Sequence, residues 1–268
     1  MITYNEYLSA LNQAGLKKDA TVLIHSGISK FGKPKTKANK KDILDFYYNG
    51  IIETIGKNGT IVTPTFTGTH YVRKNLPFDI KTTKSEVGAF SEFVRTKPNS
   101  IRSIHPIASL TAIGKNATLI CGNNHFDGYG YDSPWGKLLN LNSNIITLGY
   151  ALYPSGMSAI HFMENMIGVP YLYNKIFRSE VYNNKQKIKG LFTMSVRYLE
   201  YNVIHDQTKF KKILVKNKKA KIIKLGNGEI LSTNFNNLFE TGKKTLSKDR
   251  YILLKNSPTF KSGEKPLT

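Results

Sequence analysis

Four short apolar runs in the first two-thirds of this 268-residue chain constrain its fold more than any other feature. Thr21-Val22-Leu23-Ile24-His25 is continuous enough to predict a strand buried on both faces, as in a parallel sheet. Thr60-Ile61-Val62-Thr63-Pro64 and Asn144 to Leu148 read as further strands, and Ala108 to Ile113 as another. Amphipathic helical patterns separate them. Thr3-x-x-Glu6 is a capping box, followed by Leu8, Leu11 and a turn at Gly15. A second helix is predicted over Asp42 to Ile55, with Ile43, Phe46, Tyr47, Ile51 and Ile55 on one side and Gly56 ending it. A third, over Ser85 to Arg95, would bury Val87, Phe90 and Val94. Ser133 is a good N-cap, and Pro134 suits a first helical position. Strand-helix alternation of this kind predicts a central, mostly parallel sheet covered by helices.

After about residue 170 the pattern changes. Phe177 to Lys189, turning at Asn183-Asn184, reads as a hairpin, and Lys221 to Ser232, turning at Gly226-Asn227-Gly228, as another. Asn236 to Leu246 reads as a late helix. The lysine run from Lys209 to Lys224 reads as a solvated face rather than a binding patch. With no internal repeat and no Pro/Gly/Ser linker, residues 1–268 are expected to form one domain. Residues 1–170 would be its α/β core, and 171–268 would supply hairpins and a helix. Apolar residues at 40% and charged residues at 21% exclude disorder and collagen-like repeats. No apolar run approaches a membrane span and no signal peptide is visible, so a cytoplasmic protein is expected. Cys121 is the sole cysteine, which excludes an intramolecular disulfide, and it reads as a packing residue rather than a nucleophile.

Charge is the unusual quantity. Lys and Arg number 39 against 18 Asp and Glu, for a net charge of +21. Such a field attracts anions. Most of the excess is lysine, and asparagine is abundant too, a combination toward which AT-rich coding sequence drifts; drift and a preference for anionic ligands both remain open. No aromatic-basic platform or recognition helix is present, so neither nucleic acid nor a membrane is an expected partner. A homo-oligomer stays open.

Several motifs fail on inspection. Gly130 to Lys137 has five residues between its glycines, and Leu138 stands where a phosphate loop needs Ser or Thr. Gly156-Met157-Ser158-Ala159-Ile160 lacks the second glycine of a nucleophile elbow. Six histidines are scattered with no His-x-x-x-His spacing, so no metal is expected. The pyrophosphate loop of the common GNAT acetyltransferase superfamily is absent.

One pair survives. His161 and Glu164 lie near the start of a predicted helix that runs to about Ile167, and a spacing of three puts them on one face. A histidine in a first helical turn feels the positive end of the helix dipole, which favours neutral imidazole, the form a general base needs. A carboxylate one turn on can accept the other ring proton and steady the imidazolium that forms. Taken alone, the same spacing also describes an ordinary surface pair.

Context decides between them. His25-Ser26-Gly27-Ile28-Ser29-Lys30-Phe31-Gly32 follows the first strand, and Gly59 to Thr67 spans the second. Ser85-Glu86-Val87-Gly88-Ala89-Phe90, Arg102-Ser103-Ile104-His105-Pro106, Ser133-Pro134-Trp135-Gly136-Lys137 and His161-x-x-Glu164 leading into Gly168-Val169-Pro170-Tyr171 come next. In this order the chain resembles the aminoglycoside 3-N-acetyltransferase family over roughly residues 3 to 250. The resemblance implies an acetyl-CoA-dependent N-acyltransferase with an α/β/α sandwich around a mostly parallel mixed sheet, distinct from the GNAT fold. It implies His161 as general base and Glu164 as its orienting acid. It places coenzyme A against Ser26, Gly27, Ile28, Ser29, Lys30 and Phe31, where backbone N–H groups, hydroxyls and Lys30 suit a pyrophosphate. A second cofactor-side stretch falls on Ser133, Pro134, Trp135 and Lys137, with Trp135 equally readable as core. Glu86, His105 and Tyr171 fall on the acceptor side; His105 would line the cleft or simply pack.

The acceptor side departs from the family pattern. The stretch before the histidine, Tyr153 to Ile160, carries no acidic residue, Ala108 stands where a second histidine is common, and Tyr171-Leu172-Tyr173 replaces a Tyr-Arg-Tyr. Aminoglycosides are polycations, and a strongly basic protein repels them at long range. An anionic acceptor such as a nucleotide-linked amino sugar fits better, and Tyr171-Leu172-Tyr173-Asn174-Lys175-x-Phe177 resembles the family branch that acts on surface-glycan amino sugars. A nucleotide-linked amino sugar of surface-glycan biosynthesis is therefore the expected acceptor, and an aminoglycoside is the alternative.

Overall fold

The computed structural model describes residues 1–36, 39–123 and 125–258. In chain order, the first part runs α1 (Tyr4–Gln13), β1 (Thr21–Ser26), α2 (Lys40–Ile55), β2 (Thr60–Pro64) and α3 (Thr69–Arg73). Next come β3 (Phe78–Asp79), α4 (Ala89–Arg95), β4 (Ile101–Arg102), β5 (Leu110–Gly114), α5 (Ala117–Cys121) and α6 (Pro134–Asn140). β6 (Asn144–Leu148), α7 (Ala159–Ile167), β7 (Leu172–Phe177), β8 (Val181–Asn183), β9 (Gln186–Ile188) and β10 (Phe192–Arg197) follow. The chain closes with α8 (Thr208–Lys216), β11 (Lys221–Leu225), β12 (Gly228–Asn234) and α9 (Phe235–Leu246).

Local chemistry sets the element ends. The capping box at α1 is complete: Thr3 Oγ1 accepts from the Glu6 N–H at 3.3 Å, and Glu6 Oε2 accepts from the Thr3 N–H at 2.7 Å. Asn39 caps α2 through the Asp42 N–H, and Gly56, at φ 74, ends it. The third predicted helix starts later than expected, at Ala89, because Gly88 sits at φ 116; Val87 consequently lies in the preceding loop, 38% exposed rather than buried.

Seven strands form the central sheet in the order β11-β12-β6-β1-β2-β5-β4. β6, β1 and β2 run parallel at its centre, and the flanking pairs are antiparallel. β1 and β2 are buried almost throughout, which explains their unbroken apolar runs. Val22 and Ile24 face a core made with Tyr7 and Leu11 of α1, Phe46, Tyr47 and Ile51 of α2, and Phe90 of α4. Leu23 faces the opposite core, made by Ile120, Trp135, Phe162, Met163, Phe210, Phe235 and Leu238 from α5 to α9. Helices thus cover both faces in an α/β/α sandwich, each fully buried large side chain contributing about 2–3 kcal/mol of hydrophobic stabilisation.

The last third completes this sheet rather than standing beside it. β12 pairs with β6, Ile230 opposite Leu148, and carries β11 to the edge. The first predicted hairpin narrows to β8–β9, turning through Asn184 and Lys185 with φ of 50 and 66. Phe177 instead ends β7, which pairs with β10. Among the described residues, no helix is long and apolar enough to cross a membrane.

Because β1, β2 and β6 are parallel, their carboxyl ends share one edge of the sheet. The segments that leave it, 27–36, 65–68 and 149–158, open where open α/β sheets receive ligands.

Candidate active site

The catalytic candidates sit on α7, and the chain positions α7 through the loop after β6. Gly149 is at φ 94, and a Cβ there would lie 2.1 Å from the Gly27 carbonyl oxygen, so only glycine lets the ends of β1 and β6 approach this closely. Beyond it, Lys211 Nζ on α8 donates to the carbonyls of Tyr153 and Ser155 at 2.9 and 3.0 Å. The Gln207 N–H donates to the Pro154 carbonyl at 2.7 Å. From β1, His25 Nε2 accepts the Ser158 N–H at 2.9 Å, satisfying an amide at the mouth of α7. Burial, with the nearby Lys211 charge, holds His25 down to about 3, so the ring is neutral and its Nε2 is available as acceptor.

Glu164 is fully buried, its carboxylate surrounded by donors. His161 Nδ1 donates to Oε2 at 2.9 Å. Tyr171 Oη and His205 Nε2 both donate to Oε1, at 2.6 and 2.9 Å. Burial alone would push this carboxyl up; the hydrogen bonds from His161 and His205 outweigh it and hold the group at about 2, so it is ionised. The same carboxylate, after burial itself, raises the Tyr171 phenol, which stays a donor. The side chain of His161 is 33% exposed while that of Glu164 is wholly enclosed. With Nδ1 committed to the acid, Nε2 is left as the basic nitrogen, on the exposed member of the pair. This is the geometry of an oriented general base.

The scattered histidines therefore converge, contrary to the sequence expectation. The rings of His161 and His205 lie tilted against each other with centroids 4.6 Å apart, and His25 holds the entry to α7, which carries His161. Ligand atoms of His161, Glu164 and His205 lie within 4.8 Å of one another, a spacing that would also suit a cation; both imidazoles hydrogen-bond the carboxylate.

The other predicted residues divide by burial. Ser26, Gly27 and Ile28 are half-buried at the end of β1, Ser29 and Lys30 are exposed, and Phe31 turns inward against Tyr47. Ser133, Pro134 and Trp135 are buried, and Trp135 Nε1 donates to the Ala108 carbonyl at 3.3 Å; only Lys137 of that stretch is not enclosed. Trp135 and Phe31 are thus core residues. Glu86 is exposed at the carboxyl edge of the sheet, 3.4 Å from His70. His105 does not line a cleft. It is fully buried, Nε2 meets the Thr193 carbonyl at 3.0 Å, and Nδ1 accepts from the N–H groups of Ile107 and Ala108. Burial holds it at about 3. Tyr171 is also enclosed, and its hydroxyl serves Glu164 rather than an acceptor. Sequence reasoning missed His205 and His25. The first lies 41 residues from Glu164 in a stretch without motif, and the second ends an apolar run and reads as strand.

Comparison with known proteins bears on this site. The sequence profile of the family described as aminoglycoside 3-N-acetyltransferase matches residues 23–247. Aminoglycoside N(3)-acetyltransferase III of Pseudomonas aeruginosa is 38% identical over 85 residues, 31% of either chain. The SPbeta prophage-derived aminoglycoside N(3')-acetyltransferase-like protein YokD of Bacillus subtilis is 28% identical over 160 residues, 52% of this chain and 57% of that one. The similarity thus spans between a third and somewhat over half of these relatives' lengths. The solved structure of AAC-IIIb in binary complex with CoASH superposes with a TM-score of 0.75 at 19% identity, covering 96% of this chain and 99% of that one. At that identity the likeness concerns the fold.

Proposed function

The chain belongs to the aminoglycoside 3-N-acetyltransferase family, and from that premise we propose that it transfers the acetyl group of acetyl-CoA to the 3-amine of an aminoglycoside. The observation that carries the reading is the His161 imidazole, one-third exposed and fixed through Nδ1, at 2.9 Å, on the fully buried Glu164 carboxylate. The nucleotide-linked amino sugar expected from the charge, and with it a role in surface glycans, is set aside. The matching family and the named relatives are aminoglycoside N-acetyltransferases. A summed charge of +21 is a long-range quantity, screened within about 8 Å at physiological ionic strength, and it does not define a pocket.

In this reading the acceptor amine attacks the thioester carbonyl as His161 Nε2 takes its proton. The new C–N bond forms, the C–S bond breaks, and the coenzyme A thiolate leaves and is protonated. Glu164 stays ionised and stabilises the imidazolium. The exposed Ser29 and Lys30 at the carboxyl end of β1 support placing the anionic pyrophosphate on that loop, where a hydroxyl and a cation can neutralise it. A family relative solved with CoASH is consistent with that co-substrate.

The test is thiol release from acetyl-CoA with a panel of aminoglycosides, the products checked for one added acetyl group, with nucleotide-linked amino sugars as controls. Turnover on an aminoglycoside, with kcat lowered at least roughly 10²-fold in His161→Ala and coenzyme A affinity unchanged, is expected. Absence of turnover on every aminoglycoside would reject the acceptor, and near-normal turnover in His161→Ala would reassign the base.

A further inference from the structure

The Glu164 carboxylate has more partners than a base-orienting acid requires. Its Oε2 serves His161, while its Oε1 receives both Tyr171 Oη at 2.6 Å and His205 Nε2 at 2.9 Å. We propose that His205 is a positioning residue for the base: a second imidazole that anchors Oε1 of Glu164 and thereby fixes and moderates the oxygen presented to His161. The inference rests on the reading of His161 as base given above and extends it to a residue from a distant part of the chain.

The segment carrying His205 is itself held on two sides. Asp206 N–H donates to the Leu253 carbonyl at 2.8 Å, Lys255 N–H to the Ile204 carbonyl at 2.9 Å, and Arg197 Nη1 to the Val203 carbonyl at 3.1 Å. Val203 and Gln207 flank the histidine as buried residues. The imidazole arrives with little freedom, its side chain only 11% exposed, and its ring packs 4.6 Å from that of His161. Burial lowers His205 against the opposing pull of Glu164, so the ring meets the carboxylate as a neutral donor. A neutral donor shares the carboxylate's charge without cancelling it.

Two consequences follow. Without His205, Oε1 keeps Tyr171 alone among the described residues, the carboxylate gains rotational freedom, and the base loses alignment. At the same time the carboxylate charge is less shared and acts more strongly on His161. The ionisable groups facing this trio are Tyr171 ahead of β7, Tyr129 ahead of α6, Arg197 at the end of β10, His25 on β1 and, acting through Tyr171, Asp249 after α9. Arg197 and His25 are unaltered by the substitution, so a displaced pH profile reports on the His205–Glu164 bond.

The experiment compares His205→Leu, which removes the donor, with His205→Gln, which keeps an amide N–H on a side chain of similar reach. Acetyl transfer is followed from pH 5.5 to 9, and histidine ring-proton NMR is recorded over the same range. His205→Leu is expected to lower kcat roughly 5- to 30-fold with KM within about twofold, since the lost hydrogen bond to a charged group reaches the base only through Glu164 and only part of its worth is felt there. The acidic limb of its kcat profile should move to higher pH, and His205→Gln should recover most of the loss. A folded His205→Leu with unchanged kcat and an unmoved limb overturns the proposal. Equal losses in both variants with an unmoved limb mean that His205 only packs. If wild-type protein acetylates no aminoglycoside, the proposed function fails by itself. The His161 ring resonance then decides the present inference, which requires it to titrate at higher pH in His205→Leu than in wild type and fails if the two curves coincide.

Discussion

Replacing Glu164 by glutamine should damage the enzyme more than replacing it by alanine, and the asymmetry of the carboxylate's partners says why. Among the described residues, Oε1 receives two donors, Tyr171 and His205, whereas Oε2 receives only His161. A glutamine at this position has one accepting oxygen and one donating NH₂. Turned with its oxygen toward Tyr171 and His205, it satisfies both. Turned the other way, it leaves a buried donor facing donors, at a cost of about 1–3 kcal/mol. The favoured orientation aims the NH₂ at His161 Nδ1, which must then accept, so the ring proton moves to Nε2. That tautomer is a donor toward the acceptor amine and is no longer a base.

An orientation bias of about 1–3 kcal/mol depletes the competent tautomer about 5- to 150-fold. Loss of the carboxylate opposite the developing imidazolium removes a charge-assisted bond of about 1.5–3 kcal/mol, a further factor of about 10 to 150. Glu164→Gln should therefore lose about 10²- to 10⁴-fold in kcat. Glu164→Ala forces no tautomer and should lose only the second factor, although it should be the less stable of the two because Tyr171 and His205 lose their acceptor. Steady-state acetyl transfer by both variants, with urea unfolding to confirm that each is folded, makes the comparison. A glutamine variant within tenfold of wild type, or faster than the alanine variant, would refute the reasoning.

Stability should fall steeply in mild acid. His25 and His105 are held at about 3 in the folded protein against about 6.5 when unfolded, so below pH 6.5 the unfolded chain binds more protons and folding weakens as pH falls. Each contributes about 1.4 kcal/mol per pH unit between pH 6 and 4.5, and His105→Gln should remove that share of the slope; urea midpoints across this range with the same slope in the variant would count against a neutral His105. Gly149→Ala should cost at least about 2 kcal/mol, because its Cβ would stand 2.1 Å from the Gly27 carbonyl at a φ of 94. A loss below about 0.5 kcal/mol on urea unfolding would mean the ends of β1 and β6 are less closely joined. Finally, a protein of net charge +21 and a polycationic acceptor repel each other at range, so kcat/KM for an aminoglycoside should rise as salt increases from low to physiological levels. A decline instead would place a local acidic patch, not the overall field, in control of encounter.

Much of the frame was legible because it rests on local rules. β2 and β6 occupy the residues their apolar runs predict, the Thr3 capping box forms, and Gly226-Asn227 turns the β11–β12 hairpin. What was not legible is long-range. Nothing in Glu229-Ile230-Leu231-Ser232 says that this strand will lie against β6 rather than at an edge of its own. Val87 fits the helical stripe, yet Gly88 excludes it from the helix. The site divides the same way. His161 and Glu164 are one helical turn apart, so sequence spacing finds them. His205 reaches the same carboxylate only because its segment is tied to residues 253–255 on one side and Arg197 on the other. Tyr171 was found by number but not by role, since burial, which no spacing reveals, turns it from a substrate-facing residue into a donor to Glu164.

The charge misdirected the acceptor assignment for a related reason. A sum over the chain weights every lysine equally, whereas the chemistry depends on which charges sit within a few ångströms of the reacting amine. At the site the decisive charge is negative. Glu164 is buried, ionised and 2.9 Å from the ring proposed to take the amine's proton. Its two imidazole partners serve it as donors, and His205 is lowered by burial so that it adds no competing cation. A surface lysine more than about 8 Å away is screened from that exchange, so thirty-nine basic residues and one enclosed carboxylate answer different questions. The first concerns how an approaching molecule is met; the second concerns what happens to its amine once it has arrived. An acceptor inferred from the first has no warrant at the second, and for that reason a strongly basic chain can belong to a family whose substrates are cations.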